Sequence, residues 1–288
     1  MMKLERKSVV GRFSVLALIL IPFVYFVSSS NARNATELHP KTVVEPVKPI
    51  QTQLYEKLRL QDSLLPEEVF NNAYVGFRNM IEAQAIDQNA SILTVIDMSQ
   101  SSNKKRMWII DIASQEILLN TYVAHGRNSG NEFAKQHSNQ LNSYQSSPGF
   151  YRTANAYYGK HGLSLRLEGL DTMYNDLAMR RAIVLHGADY VHEDFIKQHS
   201  RLGRSLGCPA VPQKDRTFII ETIKDGHCLY IHFDDPEYIA NSKWLQNRVD
   251  VQDYSQLSIL ESLLEQKNYW ENLVDSPVIH NVLSENKF

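Results

Sequence analysis

The sequence predicts a mainly β domain with short helices, preceded and followed by helical segments. Three observations carry this. Short apolar runs rich in Ile, Val, Leu and Tyr recur between Ile92 and Phe233, separated by loops of Ser, Asn, Gln, Gly and Pro. Apolar residues return at helical spacing before that region and again from Leu257 to Leu273. The chain of 288 residues is 43% hydrophobic and 22% charged, enough for one sizeable core or two modest ones. Its formal net charge of −2 shows no bias toward a polyanion, so no nucleic-acid partner is expected. There is no low-complexity tract and no internal repeat.

Taken in order, the chain opens with a basic lead of Lys3, Arg6, Lys7 and Arg12. An apolar run from Phe13 to Val27 follows, interrupted by Ser14 and Pro22, and then Ser28, Ser29 and Ser30. This is the layout of a secretory signal peptide, or of an uncleaved N-terminal anchor, over residues 1–30. The run is short for a membrane span, which takes ~20 apolar residues. Either reading exports the rest of the chain to the periplasm or cell envelope, with membrane contact only through such an anchor. No Cys adjoins the run, so no lipid attachment is expected there. Residues 31–52, with Pro40, Pro46 and Pro49, read as an extended linker.

Residues 53–90 read as a helical preface. Leu65-Pro66-Glu67-Glu68 marks a helix start, with Pro66 in the first turn and two carboxylates at the positive end. Phe70, Ala73, Tyr74, Phe77 and Met80 then recur at helical spacing. Strands are expected at 92–97, 106–111 and 117–124, forming antiparallel hairpins and ending in a polar loop from His125 to Gly130. A turn at 145–151 leads into another strand. Within 164–170, Ser164, Arg166 and Glu168 share one face, and Leu165 and Leu167 the other. A strand at 180–186 ends on His186. Short helices are expected at 191–200 and 215–223, the second opened by Asp215. A strand at 228–233 closes the sheet, and residues 234–288 form a helical C-terminal extension.

The chemistry concentrates between Ala182 and Val211. His186-Gly187 follows an apolar run, and Ser205-Leu206-Gly207-Cys208-Pro209 is a turn in which glycine permits close backbone approach. A thiol beside a neutral imidazole is an activated nucleophile. Cys208 is therefore the candidate nucleophile and His186 its base, 22 positions apart. The chain has only one other cysteine, Cys228, in a stretch alternating like a strand, where it suits a buried position. In an oxidising compartment the two could instead pair, and sequence does not decide connectivity.

These residues resemble the signature of the L,D-transpeptidase (YkuD-like) catalytic-domain family. Its His-Gly and Ser-x-Gly-Cys elements are matched by His186-Gly187 and Ser205-Leu206-Gly207-Cys208, and its Thr-Pro-x-Gly segment by Ser147-Pro148-Gly149-Phe150. The three pieces occur in the family's order, the resemblance extends over about 92–233, within the expected catalytic domain 91–233, and it implies an L,D-transpeptidase-like β-sandwich. Leu206 and Ala210 replace residues that are commonly His and Arg or Asn, which marks a subgroup with a Ser-x-Gly-Cys-Pro-Ala-Val motif. The resemblance implies a cysteine acyltransferase acting on peptidoglycan stem peptides through a thioester with release of D-Ala. It needs no cofactor and no metal. Gly207 and Cys208 amides are expected to hold the oxyanion, with Gly187 as a backbone element beside the base. Ser205 belongs to the same oxyanion or substrate-binding set, and Arg204 is a candidate grip for a substrate carboxylate, with Arg166 and Arg201 behind it.

Alternatives stay open. Water as acceptor gives an L,D-carboxypeptidase, and the replaced residues leave room for a non-catalytic wall-binding scaffold on the same fold. A metallohydrolase using His186 and Asp189 is disfavoured, because His192 to His199 lacks the His-Glu-x-x-His register. His125, His161, His192 and His199 are expected at the surface or in loops.

Overall fold

The computed structural model describes residues 48–246. Two helices come first, α1 (Ile50–Lys57) and α2 (Glu67–Glu82). Strands β1 (Ile92–Asp97), β2 (Met107–Asp111), β3 (Glu116–Thr121), β4 (Gly149–Gly159), β5 (Gly162–Gly169) and β6 (Val184–Ala188) follow. Then come α3 (Glu193–His199), β7 (Ala210–Pro212), α4 (Arg216–Ile223), β8 (Cys228–His232), α5 (Pro236–Asn241) and α6 (Lys243–Gln246). The strands make one eight-stranded mixed sheet in the order β3-β2-β1-β8-β4-β5-β6-β7. The β1–β8 and β6–β7 pairs are parallel, and β1–β2, β2–β3, β4–β5, β4–β8 and β5–β6 are antiparallel. Just past β3, Ala124 bridges to Ala210 of β7. The two edges of the sheet thus meet, and the sheet curls nearly closed, as the mainly β sandwich reading expects.

Alternation along the central strands builds two apolar layers. Trp108, Ile110, Cys228 and Tyr230 face one side, where Phe70, Ala73, Phe77 and Met80 of α2 pack on them with Tyr238, Trp244 and Leu245. Met107, Ile109, Leu229 and Ile231 face the other side, with Leu165, Leu167, Leu185 and the isoleucines of α4. All six residues of β1 and all five of β8 are buried, because both of their faces are covered. Strand β8 therefore lies in the middle of the sheet between β1 and β4. It is last in the chain yet not the closing edge that the sequence suggests.

Most local signals act as expected. Helix α2 starts at Glu67 with Pro66 at the capping position and both glutamates in the first turn. Others differ for visible reasons. Helix α1 begins three residues inside the expected linker. Asp215 stands before α4 without capping it, because its carboxylate accepts from the Thr121 hydroxyl at 2.6 Å. Residues 180–183 are turn, held by Ile183 N–H donating to Ala178 at 3.0 Å, so β6 starts at Val184 and His186 sits in mid-strand. No helix among the described residues is long and apolar enough to cross a membrane. The expected signal or anchor segment 1–30, most of the 31–52 linker and the helical run at 257–273 lie outside the described residues.

Candidate active site

Strand pairing brings the two halves of the motif together. His186 lies opposite Ser164 of β5 on one side and Ala210 of β7 on the other. Cys208 lies in the bend two residues before β7, and its side chain packs against the layer that holds Ile183, Leu185 and Val211. The thiol sits against the backbone of residues 182–184. Its sulfur accepts from the Val184 N–H at 3.5 Å and lies 3.8 Å from the Ala182 carbonyl oxygen. Among the described residues no hydrogen bond joins it to the imidazole.

The His186 ring is almost fully buried and its Nδ1 lies 3.0 Å from the Gly187 carbonyl oxygen. A carbonyl only accepts, so Nδ1 carries the proton and Nε2 keeps its lone pair. Among the described residues nothing engages Nε2. Burial lowers the His186 pKa, aided by the nearby His161 and Lys160 charges, against the opposing pull of the Gly187 carbonyl. Burial also raises the Cys208 pKa, although the Val184 N–H, Arg181 and Lys160 act the other way. These directions favour a neutral thiol and a neutral imidazole over a preformed ion pair near neutral pH.

The nucleophile turn is braced from within. Ser205 Oγ accepts from the Gly207 N–H at 3.1 Å and donates to the Cys208 carbonyl at 2.5 Å. The Gly207 amide is therefore already engaged and does not face an oxyanion, whereas the Cys208 amide makes no hydrogen bond among the described residues. Both of these Ser205 contacts lie within the turn, which they brace. Gly207 itself has φ +121°, and a Cβ there would come 2.9 Å from the Gln145 carbonyl oxygen, which explains the glycine. Ser146 adds an outer brace. Its hydroxyl donates to the Gly207 carbonyl at 3.1 Å and accepts from the Gly126 N–H at 3.0 Å.

Other candidates take structural places. One Arg204 nitrogen donates to the carbonyls of Arg127 and Gly130 and to Asn131 Oδ1, so the side chain ties down the 127–131 loop. Arg166 lies over the Tyr157 ring at 4.2 Å, and Arg201 donates to the Leu202 carbonyl at 2.7 Å. Asp189 is exposed and does not orient His186, a role that the Gly187 carbonyl fills. His192 caps α3 by accepting from the Phe195 N–H. His125, expected at the surface or in a loop, lies in a loop but is fully buried against Arg106, whose guanidinium donates to its Nδ1 at 2.8 Å. Cys208 and Cys228 are both free, and Cys228 is buried beside Met80.

Two neighbours of the candidate pair have places that the sequence does not reveal. Arg181 donates to the Ser138 and Gln145 carbonyls and to the Ser143 and Ser147 hydroxyls, pinning the 138–147 loop beside Gly207. His161 stacks on His186 with ring centroids 4.4 Å apart and planes at 22°. Neither sits in a motif, so only the folded proximity reveals them.

A family model described as the L,D-transpeptidase catalytic domain matches residues 61–232. A comparison with curated proteins found no match. Among solved structures, an L,D-transpeptidase from Mycobacterium smegmatis is similar at 10% identity and TM-score 0.33, over 50% of this chain and 59% of that one. L,D-transpeptidase 3 from Mycobacterium tuberculosis is similar at 9% identity and TM-score 0.32, over 50% of this chain and 62% of that one. An L,D-transpeptidase from Stackebrandtia nassauensis is similar at 14% identity and TM-score 0.30, over 64% of this chain and 76% of that one. The chain thus spans less than two thirds of the length of the first two.

Proposed function

Because this chain belongs to the L,D-transpeptidase catalytic-domain family, we propose that it is an exported cysteine acyltransferase that crosslinks peptidoglycan stem peptides in the periplasm or cell envelope. The single observation that supports it most is the His186 ring. Burial favours its neutral form, its Nδ1–H is taken by the Gly187 carbonyl, and its Nε2 is left to accept a proton.

In this reading the Cys208 sulfur attacks the amide carbonyl between the third stem residue and the terminal D-Ala, while Nε2 takes the thiol proton. The tetrahedral oxyanion is met by the Cys208 N–H, the unengaged amide of the turn. Collapse breaks the C–N bond, the imidazolium gives its proton to the departing D-Ala amine, and a thioester remains on Cys208. The amine of a second stem then attacks the thioester. Its proton passes to His186 and on to the sulfur, which leaves a new amide and the free thiol. Water in place of the amine gives trimming by L,D-carboxypeptidase chemistry with every earlier step unchanged.

Incubation with purified muropeptides followed by mass spectrometry tests this. Crosslinked products are expected from wild type and none from Cys208→Ala. Trimmed products alone would assign the carboxypeptidase, and unchanged muropeptides would favour a wall-binding scaffold.

A further inference from the structure

The β4–β5 hairpin reverses through two residues. Gly159 pairs with Gly162, and Lys160 and His161 form the tip. Gly162 has φ +74°, and a Cβ there would come 2.8 Å from an Arg216 guanidinium nitrogen. That nitrogen donates to the His161 carbonyl at 3.5 Å and to Gln213 Oε1 at 3.0 Å. The Arg216 stem also abuts β6, since a Cβ on Gly187 would lie 2.8 Å from its Cδ. Arg216 is thus wedged between the hairpin tip and the strand of the base, and it fixes where the tip can rest. The tip rests on the base. His161 is exposed, His186 is only 3% exposed, and their rings stack 4.4 Å apart.

We propose that His161 is a positioning residue for His186, its ring acting as a flat cover that holds the imidazole with Nε2 toward Cys208. The proposal rests on His186 being the base. A single hydrogen bond through Nδ1 leaves the ring free to swing about that contact. A second ring against its face removes the swing, and catalysis by a base depends steeply on such alignment. The nucleophile turn offers no imidazole of its own for this, because Leu206 stands two positions before Cys208. The charged or titratable groups that act on His186 are His161 and Lys160 from the hairpin, and the Arg216 stem from α4 lies against the adjoining Gly187.

The test uses histidine-labelled full-length protein, with two readouts across pH: the NMR titration of His186 and the rate at which iodoacetamide alkylates Cys208. His161→Ala is expected to slow alkylation on the order of tenfold at neutral pH and to move the His186 midpoint up, since both a charge and a cover are lost. His161→Phe keeps the flat cover and is expected to recover most of the rate. Lys160→Ala is expected to move the midpoint up without slowing alkylation. Wild-type rate and titration in His161→Ala, or a Phe variant no faster than the Ala variant, would overturn the proposal. His186→Gln run alongside separates the two assignments. If it slows alkylation while His161→Ala does not, only the positioning role fails. If it leaves alkylation unchanged, the base assignment fails and the positioning role with it.

Discussion

Ser205 Oγ holds two backbone groups of the nucleophile turn at once, the Gly207 N–H and the Cys208 carbonyl. Ser205→Ala leaves both without that partner in a largely buried turn. The expected loss is about 1–3 kcal/mol in chemical denaturation, with slower alkylation of Cys208, and Ser205→Thr should restore both. The neutral resting pair sets the pH profile of acylation. With the His186 pKa lowered and that of Cys208 raised, the reactive form has a neutral base from below pH 6.5 up through neutrality. Acylation should rise with pH along one acid limb centred below 6.5 and then run flat. His186→Gln should abolish the limb and lower the rate by about 10²–10⁴-fold. A limb centred above 6.5 would contradict the neutral base. At this scale Cys208 and His186 stand out in the sequence as candidates, because Cys between Gly and Pro and His after an apolar run are unusual placements. The roles of Ser205, Arg204 and the Gly207 amide do not, since each is decided by which partner the folded turn supplies. His161 was placed in a loop correctly, but nothing local announces that the loop ends on another ring.

Parallel pairing of β6 with β7 sets His186 beside Ala210, two positions after Cys208, and so brings the two halves of the motif into one neighbourhood. The hairpins from β1 to β3 were readable from alternation and turn residues. The place of β8 was not, because a buried run looks the same at an edge as at the centre, and only its long-range pairing with β1 and β4 decides. Helix α2 shows the same limit. Its apolar stripe was visible, yet not that it forms one core with Trp244 and Leu245 from the far end of the described chain. Because α2 covers the sheet face opposite the layer that Cys208 packs against, stability and chemistry separate. Phe77→Ala should cost about 3–5 kcal/mol of unfolding free energy. Alkylation of Cys208 in the protein that remains folded should change little. A large rate loss in folded Phe77→Ala protein would mean that the two layers are coupled.

Acid should loosen the whole molecule in a predictable window. His125 is held to about 3 by burial and by the adjacent Arg106, and burial also lowers His227 and His232. Each of these binds a proton in the unfolded chain before it does so in the folded one. Their contribution is intact above about pH 6.5 and is lost as pH falls below that value, at up to about 1.4 kcal/mol per pH unit for each proton. His125→Asn keeps an acceptor for Arg106 and should flatten the slope of unfolding free energy between pH 6.5 and 4, measured by urea titration. An unchanged slope would place the acid sensitivity elsewhere. The account as a whole stands on one sulfur being the acyl acceptor, and intact-mass spectrometry with a carbapenem, an acylating mimic of the donor, reads that directly. A single covalent adduct is predicted on wild type, mapped to Cys208, forming far more slowly on His186→Gln and not at all on Cys208→Ala. No adduct on wild type at saturating drug, or one that survives in Cys208→Ala, would contradict it.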